Sequence, residues 1–388
     1  MKRVLQDERG MALGVAIFAL VVVGALVAGA FFAGTQEQRV GENSRRSEQA
    51  FGIADGGLSE TITGWSANRQ TLNVTPVYPG TPYTLPNTDS PGATGRYGGS
   101  VYKLNNELYL IDVTGRDKMT ARTGGVIRGG AQQRLGMIVR IRPVQVGIGA
   151  ALTTRGAVKL SGNAFVDGTD HIPAGWTTAN CDTIGDSTKA GLRTPDSSDV
   201  SGAAGHLAGN PPVKRDPTIS DSTFTNFGGV SYADLAAMAD KQLSGGNYKT
   251  QPTLSGAQCN TTNPENWGDG LNRSAPCGSY FPIIHISGDA TVNGVQGQGI
   301  LLVDGDLSVQ GSYEFFGVTI VRGHLKTAGG GATDAHFWGG VMAANVDLEL
   351  NSLSGNATLN YSKCAIVQAL QMTGSTAPLR SRGWAQLY

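Results

Sequence analysis

The longest hydrophobic feature of the chain is the run at positions 11–33, MALGVAIFALVVVGALVAGAFFA, which holds no charge and no proline. About twenty apolar residues suffice to cross the core of a bilayer, so this run predicts a transmembrane helix. Lys2, Arg3 and Arg9 precede it. The positive-inside rule then keeps the first residues in the cytoplasm and sends everything after Ala33 to the far side. No proline interrupts positions 35–60, and Phe51, Leu58, Ile62 and Trp65 follow at intervals of seven, four and three. That spacing is one face of a continuing helix. A single helix from Met11 to about Ala67 would be roughly 85 Å long at 1.5 Å per residue. Gly52, Gly56, Gly57 and Gly64 weaken it by up to about 1 kcal/mol each relative to alanine, so it is expected to bend or melt locally during packing.

Beyond the helix the period changes. Positions 72–99 are rich in proline, threonine, glycine and asparagine and read as a loop. Positions 100–104 (SVYKL), 107–113 (ELYLIDV) and 133–141 (QRLGMIVRI) follow. Val101, Tyr109, Ile111, Leu135, Met137, Val139 and Ile141 alternate as in half-buried strands, and Asn105-Asn106 is a hairpin signal. A long helix lying on a small antiparallel sheet is expected over positions 34–143.

The carboxyl-terminal half carries a repeat. HISGDATVNG at 285–294, LVDGDLSVQG at 302–311 and IVRGHLKTAG at 320–329 align on Gly288, Gly305 and Gly323. Positions 341–348 and 357–361 continue it loosely, and 152–162 (LTTRGAVKLSG) reads as an earlier coil. A period this short suits a solenoid coil, in which stacking buries a column of valine, leucine and isoleucine that no single coil could bury alone. A parallel β-helix is the expected result, with positions 382–388 as a cover for one end; a β-sandwich with accidental periodicity is the alternative. Positions 181–277 are polar, glycine-rich and broken by prolines, and read as long loops decorating that domain. Within them Ser231 and Asp234 form a capping-box pattern that opens a short helix running to about Lys241.

Composition narrows the class. Thirty lysines and arginines balance thirty aspartates and glutamates, which argues against a nucleic-acid binder with its basic excess. Charged residues are only 15% of the chain and glycines number 56, a balance suited to turn-rich β structure. The four cysteines, Cys181, Cys259, Cys277 and Cys364, show no zinc spacing. In an exported protein they allow two disulfides in three pairings, or four free thiols. Cys259 and Cys277, close in sequence, are the favoured pair.

The junction Glu8-Arg9-Gly10-Met11-Ala12-Leu13, a short charged leader ending in glycine against an apolar helix, resembles the class III leader of type IV pilins. The resemblance implies cleavage by prepilin peptidase between Gly10 and Met11, N-methylation of Met11, and retention of the apolar segment as membrane anchor and filament stalk. Ordinary signal-peptidase removal near Ala28-Gly29-Ala30 and a plain permanent anchor are the competing readings. The string RRSEQAF at 45–51, followed by ADGGL at 54–58, resembles the helix of PilX-type minor pilins, with Phe51 and Leu58 on its packing face. Major pilins carry glutamate at the fifth mature position; here it is Val15, with no acid in the apolar segment. A buried carboxylate needs a partner, so its absence removes a pairing contact between subunits and implies a minor subunit, including a place at a filament tip.

Parallel β-helices can host glycan chemistry, so an enzyme is a further candidate. Stacked coils would put Asp289, Asp306 and His324 in one column, about 4.8 Å per coil, near the carboxylate spacing that glycoside hydrolysis uses. The position after a corner glycine is ordinarily solvent-facing, however, and a polar residue there is the default, with weak cation binding the next reading. His171, His206, His285, His324 and His336 show no metal-ligand spacing. No GxSxG, P-loop or dinucleotide motif stands in a fitting context. No catalytic site, metal site or cofactor is expected.

The sequence therefore predicts an α+β protein: leader 1–10, transmembrane helix 11–33, pilin-like helix and sheet 34–143, and a β-helix domain 144–388 with an insertion at about 170–280. The expected partners are prepilin peptidase, other pilin subunits, the inner membrane before assembly, and a surface or glycan met by the β-domain on the cell-surface filament. A membrane-anchored β-helix adhesin or carbohydrate-active enzyme is the alternative.

Overall fold

The computed structural model describes residues 9–105, 107–118, 130–177, 181, 188–202, 204–327, 334–344, 351–353, 356–378 and 384–387. Positions 1–8 of the expected leader lie outside the described residues.

Helix α1 spans Arg9–Thr63, and α2 spans Trp65–Asn73. The helix expected to reach about Ala67 is interrupted at Gly64, one of the glycines expected to let it bend, and then runs on to Asn73. Four strands follow: β1 (Tyr83–Asp89), β2 (Gly95–Lys103), β3 (Leu108–Asp117) and β4 (Gln132–Arg142), paired antiparallel in that order. Part of the stretch expected to be loop is thus strand, positions 83–89 and 95–99, and β1 pairs Tyr83 with Val101. Its alternation is blurred because one of its sides meets solvent at nearly every position.

The last quarter of α1, from Ala50, lies on this sheet. Ala50, Ile53, Ala54 and Leu58 are buried, with Trp65 and Leu72 of α2, against Tyr97, Val101, Tyr109, Ile111, Val113, Leu135, Val139 and Ile141. Small residues let the backbones approach. A Cβ on Gly57 would sit 2.6 Å from the Tyr97 ring, and one on Gly115 would sit 2.4 Å from the carbonyl oxygen of Ala50.

The sheet is completed from the far end of the chain. Ser375–Pro378 and Trp384–Leu387 both pair antiparallel with β4, at Arg142–Val139 and Met137–Arg134 respectively. The closing residues, expected as a cover for the solenoid, belong to the small sheet instead. Everything between β4 and Ser375 is therefore inserted, in sequence, within the small-sheet unit. The exposed edge of β4 needs a partner for its backbone groups, and these strands supply it.

The inserted part is a 16-stranded parallel sheet curled into a half-barrel; the closed solenoid expected from the repeat is not shown. Its pairings run in three ladders. One joins, in order, strands at 241–244, 283–286, 300–303, 318–321, 341–343, 152–154, 192–194 and 213–215. A second joins 246–248, 290–292, 307–309, 325–327, 351–353, 158–160 and 200–201. The third joins 296–299, 314–317, 336–339, 358–361, 165–167 and 207–208. Stacking order is not chain order. The first strands made, from Ala150, stack beyond Val341–Ala343, and the chain returns at Lys241 to the opposite edge.

Most of 181–277 is loop, as expected, but five strands between Ala190 and Tyr248 join the ladders. They escape a periodicity test because most are two to five residues long. The short helix is present as Tyr232–Ala237, with both bonds of its Ser231/Asp234 capping box; Lys241 begins a strand rather than ending the helix.

Candidate functional site

The amino-terminal half of α1 is the part of the molecule with least support from its own fold. From Leu13 to Ala33 every residue of its apolar span is exposed. Leu13, Val15, Phe18, Leu20, Phe31 and Phe32 are exposed, Val15 at 68%. Such a stretch needs lipid or other helices around it. Gly10 and Met11 lie in the first turns of α1. Of the two residues on the packing face of the helix that the resemblance implies, Leu58 is buried in the chain's own core and Phe51 is half-buried against it. Leu58 is therefore taken up by intramolecular packing.

Between the bare span and the packed segment α1 is polar. Glu42 pairs with Arg46 at 2.7 Å along the helix, and Gln133 of β4 donates to the Ser47 hydroxyl at 2.6 Å.

The column Asp289, Asp306, His324 does form, and its geometry gives it a structural task. Asp289 accepts the backbone N–H of Asp306 at 2.8 Å, and Asp306 accepts that of His324 at 2.8 Å and faces its ring at 2.9 Å. Each aspartate thus closes the corner of the next rung. Partial burial pushes the Asp306 carboxyl upward, but the N–H and ring of His324 and the ammonium of Lys326 outweigh it and hold the group below the usual carboxylate range. The corner glycines follow from this reach: a Cβ on Gly305 would fall 2.1 Å from Asp289 Oδ1, and one on Gly323 would fall 2.4 Å from Asp306 Oδ1.

The remaining histidines also have local partners. His171 meets Asp167 at 2.9 Å, His285 meets Asp304 at 3.1 Å and His336 meets Asp334 at 3.0 Å, while His206 contacts the carbonyl oxygen of Ala164 at 2.6 Å. Among the described residues no group of three or more His, Cys, Asp or Glu side chains is placed to hold a metal ion.

Both disulfides are present. Cys259 bonds Cys277, and Cys181 bonds Cys364 across 183 positions. The second ties the segment before Ala190 to the helix Lys363–Gln371, a link that no spacing could announce. The joint between the two units was equally silent in the sequence. Arg69 of α2 meets Asp240 at 2.7 Å, Gln70 donates to the carbonyl of Phe281 at 2.9 Å, and Asn73 donates to that of Met372 at 3.2 Å.

No protein-family model and no curated protein matches the chain. Among solved structures, the competence-associated pilin ComZ from Thermus thermophilus is similar over 88% of this chain and 96% of its own, at 11% identity and a TM-score of 0.23. At that score the similarity carries no argument, and the reading below stands on this chain's own residues.

Proposed function

We propose that the chain is a type IV pilin-like filament subunit, of the minor PilX type, made as a membrane-anchored precursor. Prepilin peptidase cuts between Gly10 and Met11, Met11 is N-methylated, and α1 passes from the inner membrane into a filament with other pilin subunits. The three ladders act as the walls of a β-helix held outward, available to a surface or glycan. Val15, in place of a glutamate, favours a minor or tip position. The domain is a binding or structural element rather than an enzyme, because the Asp289 and Asp306 carboxylates of the stacked column are spent on closing backbone corners.

The observation that carries this reading is the division of one helix into unlike parts. From Leu13 to Ala33 it is apolar and exposed; from Ala50 it is packed against an antiparallel sheet. A soluble helix would bury its apolar face in its own fold. A filament subunit keeps the apolar part free for lipid first and neighbouring helices later.

The test is intact-mass and N-terminal peptide analysis of protein from sheared surface filaments. A mature chain beginning at N-methylated Met11 is expected. A chain retaining residues 1–10 and found only in membranes would overturn the reading and leave a tethered β-helix adhesin or carbohydrate-active enzyme.

A further inference from the structure

A pocket of 270 Å³ lies where α2, β2, the 273–281 segment and the helix Lys363–Gln371 converge; Asn73, Lys103, Arg273, Ser279, Gln368 and Gln371 supply its polar lining. Two of these are cations and none is an acid. Among the described residues neither Lys103 nor Arg273 pairs with a carboxylate.

Both cations are held in place. The Lys103 ammonium donates to the carbonyl oxygen of Asn73, the last residue of α2, at 2.6 Å. An ammonium has three N–H donors, so this bond leaves two for another acceptor. The Arg273 guanidinium is gripped by rings, its Cζ 4.7 Å from the Trp176 centroid and 4.5 Å from that of Phe281. Its Nη1 donates to the carbonyl oxygen of Gly278 and to Gln298 Oε1 while Nη2 donates to Gln368 Oε1, which leaves one Nη2 hydrogen for a ligand. Its Nε is buried without an acceptor. Burial lowers the Lys103 ammonium and brings Arg273 down to about 10, and no neighbouring acid offsets either. Arg273 remains charged near neutral pH. Two half-buried positive charges without a counter-charge are costly, and an anion entering between them relieves that cost. Lysine and a planar guanidinium are the side chains that bind carboxylates best.

We propose that this pocket binds a small hydroxy acid of the sugar-acid kind, its carboxylate against Lys103 and Arg273 and its hydroxyls toward Ser279, Gln371 and Gln368. The volume is below that of pockets for drug-sized ligands, about 300 Å³ upward, and suits a single ring. The inference is independent of filament assembly, since it holds whether or not Met11 is the mature amino terminus.

The test is calorimetric titration of the full chain in detergent micelles with sodium glucuronate, against glucose and sodium chloride at matched ionic strength. Saturable one-to-one binding of glucuronate alone is expected, weakened at least tenfold in Lys103→Gln and in Arg273→Gln. Glucuronate should also slow amine-reactive labelling of Lys103 in the unaltered chain, read by peptide mass. Arg273 supports two rings, so its variant is interpreted only if it melts as the parent does. The Lys103 variant and the labelling then decide. No saturable binding, equal binding of glucose, or binding that leaves Lys103 labelling unchanged would overturn the proposal.

Discussion

Arg69 of α2 reaches Asp240 across the joint between the helix and the parallel sheet, Nη2 to Oδ2 at 2.7 Å, with only 5% and 17% of the two side chains exposed. The same carboxylate oxygen accepts the backbone N–H of Ile283 at 2.8 Å, and Arg69 Nη2 also donates to the carbonyl of Met238 at 2.7 Å. One ion pair therefore anchors α2 to the first two strands of a ladder.

Removing one partner leaves the other buried and unpaired, which costs about 3–5 kcal/mol. Asp240→Ala and Arg69→Ala are each expected to lower denaturant stability by that order. The double variant should lose less than the sum of the two. Additive losses would show that the two residues do not act as a pair.

Adjacent glycines in α1 are expected to respond in opposite senses. Gly56 has nothing within 4 Å of an added Cβ, whereas Gly57 faces the Tyr97 ring and Val113. Gly56→Ala should raise stability by up to about 1 kcal/mol through helix propensity. Gly57→Val overpacks the helix–sheet contact and should cost about 1–3 kcal/mol. Thermal melts of the two variants against the parent read the difference, and a shift of the same sign in both would refute the packing argument.

The corners of the parallel sheet predict a larger effect. Gly299, Gly317 and Gly339 stand in register in successive strands, with φ of +106°, +139° and +142°. A Cβ on Gly317 would lie 2.0 Å from the carbonyl oxygen of Gly299. Backbone strain alone costs about 1–3 kcal/mol for a residue with a side chain there. Gly317→Ala should therefore melt well below the parent, while Gly246→Ala, which meets only the Tyr248 hydroxyl at 4.0 Å, should not.

Acid should loosen the far edge of the ladders. The Thr218 hydroxyl and then Arg193 hold Asp216 at a pKa of about 2, against roughly 3.9 in an unfolded chain. A depressed carboxyl contributes stability that is complete above the unfolded value and is lost as pH falls toward the folded one. Between pH 5 and 2, given as a rough window, the melting temperature of the parent should fall more steeply than that of Asp216→Asn. The two should converge near the bottom of that range; parallel curves would remove Asp216 from the acid response.

Local pattern was enough where a long run or a clear period carries the signal. The apolar run at 11–33 announces a span because transfer from water depends on the residues themselves, and Phe51, Leu58 and Trp65 announce their helical face because 3.6 residues make a turn. The strands β2, β3 and β4 showed through their alternation, and the repeat on Gly288, Gly305 and Gly323 announced stacked parallel strands. What the sequence could not contain was which strand lies beside which. Strands at Ala150 and Val341 have the same apolar character as their neighbours, and only the assembled register makes them adjacent. Likewise Trp384–Leu387 finds β4, Cys181 finds Cys364, and Arg69 finds Asp240 only when segments more than a hundred positions apart are brought together. The Lys103 and Arg273 pocket belongs to that second group: each residue alone is an ordinary surface cation, and its charge becomes a site only after packing removes the water and supplies no acid.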